Sequence, residues 1–446
     1  MESEFTLGIL IAYLAVVVLI GLISSRKAKT TKGFFLADRN LGWFALTATI
    51  TATTVGGSAT IVAGGRIYAQ GLPALWYDIG GGLGLIILGL FIAHKVRKTG
   101  LVTLPDIAGS IFGGKVRFAS AVLIIITETA WISLLIQASS LILSVVLPID
   151  FTMILVAITV GFIIYTLLGG QYAVVYTDVA QFLVMIIGIC VIAAPILFWE
   201  ALPNIGQLSS ASTAFPVNGE IGFLAAGSIF FMMFMPHIVG PDIYSKLLSS
   251  KDEKTAKKGA ILSGFFKLAF AVAIGVIAIS ALISHPGLSN PYLAIPTAVF
   301  DLSPILAGII LAGFLSVMLS SADSCLLSAG TILSVDLVRK KNVNLSRIGI
   351  LCVGFGALIL ALYLGDILKT LQLAYTVFTA GLTLPILFGF YKEKTRVTST
   401  GALWSLILGG AISLLWLNFA PHGDYAVLIG LLVSVIPLLV LREAKK

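Results

Sequence analysis

Four side chains in the stretch "SVMLSSADSC", residues 316–325, call for a chemical explanation. Ser320, Ser321, Asp323 and Ser324 crowd together inside an otherwise apolar run. On a helix, positions 317, 320, 321 and 324 share one face, so the three hydroxyls point in one direction. A hard cation takes several oxygen ligands. Neutral hydroxyls and carbonyls supply them to a monovalent ion such as Na+ without a large charge penalty. Small residues that let two helices approach closely would produce the same spacing. Spacing alone leaves both readings open.

Four carboxylates sit in similarly apolar surroundings: Asp78 in "LWYDIGGG", Glu128 in "IITETAWIS", Asp178 in "VVYTDVAQF", and Asp323 itself. An ionisable group at membrane depth costs about 2.5–3.5 kcal/mol on insertion scales, so each is either functional or hydrogen-bonded within a helix interface. Enzyme signatures are missing: there is no Walker loop, no GxSxG elbow and no HExxH. The histidines (His94, His237, His285, His422) are scattered, and Cys190, Cys325 and Cys352 have no metal-ligand spacing. An intramembrane hydrolase pairing Ser320 or Ser324 with His237 has no recognisable motif behind it. With no nucleotide domain to drive a pump, a secondary transporter or a channel remains.

The elements that must position these groups are membrane spans. The 446-residue chain is 58% hydrophobic and 11% charged, with a mean hydropathy of +1.07; a soluble protein would be about 25% charged. Thirteen apolar segments are expected, centred near Val17, Val55, Ile86, Ile132, Ile158, Val184, Phe231, Ala271, Phe314, Gly356, Phe378, Leu408 and Leu432. Each is long enough for a hydrocarbon core about 30 Å thick. They form one membrane domain, and the first is expected to be a retained signal anchor. With the N-terminus outside, 25 of the 28 basic residues fall on one side, leaving out Arg66, Lys267 and Lys369. The positive-inside rule makes that side cytoplasmic, the C-terminus included. The net charge of +8 is therefore topology and gives no reason to expect nucleic acid as a partner.

Two spans carry helix breakers. The second, "ALTATITATTVGGSATIVAGGRIY", holds Gly56-Gly57 and Gly64-Gly65; the seventh, "FFMMFMPHIVGPDIY", holds Pro236, Gly240 and Pro241. Interrupted helices five spans apart are the arrangement by which inverted-repeat transporters expose backbone groups to ions and substrate at the midplane. Kinks that only assist packing would look the same.

"SVMLSSADSCLLSAG" resembles the ion-binding helix of the sodium:solute symporter family, which includes bacterial proline, galactose and sialic acid symporters. The family pattern is also visible in "GGQYAVVYTDVAQ" (169–181), "FMPHIVGPDIYSKLLSSKDEKTAKKGA" (234–260) and "GALWSLILGGAISLLW" (401–416). The second of these stretches is nearest to the proline symporter branch. The resemblance implies an all-α LeuT-like fold of inverted five-helix repeats: an extra helix at 5–24, a ten-helix core over about 41–390, and two further helices at about 400–441. It implies a monomer of the plasma membrane that carries a small organic solute with Na+ by alternating access.

The resemblance also implies sites. The first sodium site falls on the carbonyls of Ala52, Val55 and Val317 and the hydroxyls of Ser320 and Ser321, with Val317 where the family usually has alanine. A second site found in some members falls on Asp178, Ser320 and Ser324, with Asp323 where a third hydroxyl belongs. Substrate contacts fall on Gly56, Ser58, Ala59, Asp78, Glu128 or Gln137, Met232, and Gln372 or Tyr375. If Asp78 and Glu128 face the pocket, an amino acid such as proline, or an amine, is favoured over a sugar or organic acid; Arg66 could instead receive a carboxylate. Proton coupling through Asp178 or Asp323 is the rival mechanism.

Overall fold

Long apolar runs fold as helices because a bilayer offers backbone N–H and C=O groups no other partners. The computed structural model describes residues 2–26 and 30–443, apart from the side chains of residues 2, 3 and 168. Lys27, Lys29, Lys445 and Lys446, which enter the charge pattern, lie outside the described residues. Among the described residues the secondary structure is helical, and the only strand-like pairings are the isolated bridges joining Leu41 to Ser250 and Val397 to Arg442. Eleven helices are long and apolar enough to cross a membrane, or twelve when a bent pair is taken as one span.

In chain order the helices used below are α1 Glu4–Ser25, α2 Trp43–Val55, α3 Ser58–Gln70, α4 Leu72–Thr99, α5 Gly114–Ser144, α6 Phe151–Leu167 and α7 Gly169–Gln207. They continue with α8 Phe223–Ile238, α9 Pro241–Ser249, α10 Glu253–Ser284, α11 Pro304–Leu337, α12 Val343–Leu364, α13 Ile367–Phe390, α14 Ser399–Phe419 and α15 Gly423–Val440. The expectation of thirteen spans differs at α6, which is apolar but shorter than the others. It runs into α7 through Gly170, whose φ of 58° interrupts an otherwise continuous helix. Phe34 packs against that glycine so closely that a Cβ would meet its ring at 2.5 Å.

Both expected interruptions are present. Helix α2 ends at Val55, the chain turns at Gly56, and α3 leaves at 57° to α2. Helix α8 ends at Ile238, Val239 and Gly240 leave helical geometry, and α9 restarts at Pro241. Some helices are capped by side chains, as with Asp252 accepting from Thr255 N at 2.7 Å, Asn342 at α12 and Asp366 at α13. Neither α3 nor α9 has a side-chain cap.

Helix α11 is the most buried span and packs against α1, α2, α5, α6–α7, α9 and α12. Helices α14 and α15 pack on each other and on α13, away from α11. Two lysines depart from the surface role that basic residues take in the charge pattern. Lys246, counted with the cytoplasmic loop, is fully buried in α9, and Lys267 is buried in α10.

Candidate functional site

The C-terminal turn of α2 leaves carbonyls without intrahelical partners, because Gly56 (φ 37°, ψ −179°) turns the chain out of the helix. Two donors answer some of them. Ser321 Oγ on α11 reaches the Thr53 carbonyl at 2.7 Å and the Val317 carbonyl at 2.9 Å. Lys267 donates to the Thr54 carbonyl and lies 3.8 Å from Asp78, placing a cation at the negative end of the α2 dipole. The carbonyls of Ala52 and Val55 accept no side-chain donor among the described residues. Ser321 thus ties α11 to α2 at Thr53, between the expected Ala52 and Val55 carbonyls.

Ser320, beside Ser321 on α11, donates its proton to Asp178 Oδ1 at 2.5 Å, which leaves its oxygen lone pairs as acceptors. Asp178, on α7, is wholly buried and heavily engaged. Thr49 of α2 donates to its Oδ2, and Lys246 Nζ lies 3.2 Å from that same oxygen. The ammonium also donates to Ser324 Oγ at 2.8 Å, and Ser324 meets Thr53 Oγ1 at 3.0 Å. Asp323 stands apart. One oxygen is 3.4 Å from Ser324 Oγ, while the other has no hydrogen-bond partner, and the side chain lines a small cavity with Tyr165, Gly169 and Gly170.

A cavity of about 50 Å³ lies against the break, bordered by Gly56, Ser58, Trp131, His237, Asp242 and Tyr375 among others. That is room for water-sized occupants, so a solute has to displace side chains to enter. Ser58 Oγ and Tyr375 OH are 3.2 Å apart, and the Trp131 and Tyr375 rings stand 5.1 Å apart.

Of the expected substrate contacts, Gly56, Ser58 and Tyr375 border this cavity. Ala59 is buried on α3 and does not border it. Asp78 is turned toward Lys267, so an acidic pocket built on it is not what the geometry forms. Glu128 is buried on α5 beside Cys325 and Ser328, behind the lining. Gln137 bonds to Thr370 at 3.0 Å and borders a wider opening of about 580 Å³ near Asn290 and Asp366. Met232 is held by α13 through Thr376 and Thr379, and Gln372 bonds to Asp424 at 3.0 Å. Arg66 lies off the cavity.

Asp242, Trp131 and Lys246 were not anticipated as site residues. Asp242 follows Pro241 at the uncapped start of α9, a position where a carboxylate is favoured by the helix dipole. The Gly240-Pro241 break that marks α9 as an interrupted helix is also the signal that points to Asp242.

The sodium:solute symporter family matches residues 34–409 of the chain. "Sodium/glucose cotransporter 4" of Danio rerio is 27% identical, over 91% of this chain and 71% of that protein. The "Sodium/proline symporter" of Escherichia coli (strain K12) is 25% identical, over 96% of this chain and 91% of that protein. Among solved structures, a Na+-coupled sialic acid symporter in a substrate-bound, outward-open state superposes with a TM-score of 0.82 at 18% identity. That alignment covers 98% of this chain and 96% of the symporter. It establishes the fold, a LeuT-like core of inverted five-helix repeats.

Proposed function

The chain belongs to the sodium:solute symporter family, and from that premise we propose that it uses the sodium gradient to import a small solute bearing an amino group. An amino acid, proline-like in size, and a simple amine are the two forms of this reading. The observation that carries it is the cavity's charge. Asp242 contributes a carboxylate, and no Lys or Arg is among the bordering residues described. Such a site favours a positively charged group by direct attraction in a medium of low dielectric. The carboxylate of an amino acid would take N–H groups at the start of α3, as anions do at helix N-termini.

Sodium occupies the first site, between the Ala52 and Val55 carbonyls of α2, the Val317 carbonyl, and the Ser320 and Ser321 hydroxyls of α11. It holds the two helices together at Gly56. The same glycine borders the cavity, so ion binding orders the wall against which the solute rests. A ligand shifts a conformational equilibrium only by its differential affinity for the two states. Here the ion favours the state in which α2 and α11 are close.

The N-terminus lies outside and the C-terminus in the cytoplasm. Helix α1 and the pair α14–α15 flank the ten-helix core.

A sugar is the second reading, and the Trp131–Tyr375 pair favours it, because an aromatic face accepts the C–H face of a pyranose. Proteoliposome uptake of labelled proline, a primary amine, glucose and a dicarboxylate, with and without an inward sodium gradient, decides between them. Sodium-driven accumulation of proline or the amine supports the proposal. Accumulation of glucose alone overturns the amino-group assignment and leaves sodium symport standing.

A further inference from the structure

The second cation position that the family resemblance points to has an occupant from the chain itself. Lys246 Nζ lies 3.2 Å from Asp178 Oδ2 and 2.8 Å from Ser324 Oγ, both ordinary distances for a charge-assisted N–H···O bond. None of the three residues has more than 3% of its surface exposed. The remaining oxygens close in on the same point. Ser320 and Thr49 donate their protons to Asp178, and Thr53 Oγ1 meets Ser324 Oγ. We infer that the ammonium of Lys246 is the resident cation of this second position, so that the chain binds one sodium ion per cycle instead of two. This rests on the reading of the first sodium site above.

The argument is one of charge and space. Asp178 is the carboxylate that would draw an ion to this point, and the salt bridge already neutralises it. A sodium ion on the same oxygens would have to displace an ammonium whose alternative, a bare charge in the protein interior, is costly. If both were present, two like charges would stand within a few ångströms of each other at low dielectric. Asp323 and Asp242 are the other carboxylates within reach of the pair; Asp323 lines a small cavity with Tyr165 and Gly170, and Asp242 borders the cavity at the break.

The placement also suits a tethered cation. Lys246 belongs to α9, the second half of a broken helix; Asp178 belongs to α7, Ser320 and Ser324 to α11, Thr49 and Thr53 to α2. A diffusible ion leaves such a junction when the helices part. A side-chain ammonium is carried with α9 and returns to the same carboxylate without contributing a transported charge. Lys246 is in this sense a residue that sets the coupling stoichiometry.

The test uses the purified full-length protein and 22Na+ as the only ligand, so it does not depend on identifying the solute. Equilibrium binding should saturate at one ion per wild-type chain with a Hill coefficient near 1. Lys246→Gln frees the Asp178 carboxylate and should raise saturation to two ions per chain; Lys246→Arg should keep it at one. Adding Asp178→Asn to Lys246→Gln removes both charges and should return the count to one. Two ions per wild-type chain overturn the inference, as does a folded Lys246→Gln protein that still binds one. No saturable 22Na+ binding to the wild type overturns the first-site reading together with this one. Two ions per wild-type chain leave the first-site reading intact. The wild-type count decides the matter even if Lys246→Gln fails to fold.

Discussion

Ser321 Oγ lies 2.7 Å from the carbonyl oxygen of Thr53, tying the middle of α11 to the last turn of α2 just before the chain breaks at Gly56. A serine kept only for close packing has no need of that bond, since alanine is as small. Ser321→Ala together with Ser320→Ala therefore separates the two explanations. The sodium concentration for half-maximal uptake should rise by about 5- to 150-fold, the range of typical coupling energies. Unchanged sodium dependence in a well-folded double variant would make both serines packing residues.

Sodium should also stabilise the protein, because only the folded chain assembles the oxygens of α2 and α11. Replacing Na+ with choline at constant ionic strength should lower the melting temperature in detergent. At 100 times the dissociation constant the ion is worth about 2.7 kcal/mol. The Ser320→Ala/Ser321→Ala protein should melt at the same temperature in either salt. A wild-type melting temperature indifferent to sodium contradicts the site.

Gly56 has φ 37° and ψ −179°, a region in which side-chain-bearing residues cost about 1–3 kcal/mol. A Cβ there would also stand 3.2 Å from Ser321 Oγ. Gly287 has φ 81° with nothing near its missing Cβ. Both alanine variants should lose stability by similar amounts in thermal melts. Only Gly56→Ala should weaken sodium activation as well, because only there does the new methyl group press on a proposed ligand. Equal sodium activation in the two variants would detach the break from the ion.

How much of this was legible in the sequence depends on what each residue competes with locally. The serines of α11 stand out because polar groups are costly in an apolar run, and Gly56-Gly57 stands out because glycine weakens a helix. Lys246 was hidden by its neighbours. It precedes Lys251, Lys254, Lys257 and Lys258 by a few residues, and a charge pattern reads all five as one loop. Only the restart of the helix at Pro241 turns Lys246 inward, toward a carboxylate 68 positions earlier in the chain. Asp78 failed in the opposite sense. Its type and depth suit a substrate contact, yet Lys267, nearly two hundred residues away, claims it. Pairings across such distances in the chain depend on how α4, α7, α9 and α10 pack, and no local pattern carries that information.

The proposed orientation has a direct check. In a background without native cysteines, a cysteine at position 4 should react with an impermeant maleimide applied to intact cells, and one at position 394 should react only after permeabilisation. The loop bases that remain after Lys246 is set aside still cluster on one side, which is why burying one lysine does not reverse the expectation. Labelling of both positions from outside would refute it.

Asp242 carries the substrate assignment, so its neutralisation is the sharpest test of it. The carboxylate sits one residue into α9, where Gly240 and Pro241 break the span and leave the helix start without a side-chain cap. It borders the cavity beside Tyr375 and His237. Asn at this position keeps the size and one acceptor oxygen and removes the charge. A hydrogen bond between charged partners is worth about 1.5–3 kcal/mol more than none, and each 1.4 kcal/mol is about tenfold in affinity. The KM of Asp242→Asn for an amino-bearing solute should therefore rise by about 10- to 100-fold. Its sodium activation, measured at saturating solute, should move less than its KM, because Asp242 belongs to α9 and is not one of the proposed sodium ligands. Asp242→Glu should recover part of the loss. If Asp242→Asn transports with an unchanged KM, the carboxylate is only completing the start of α9, and the case for a positively charged solute falls with it.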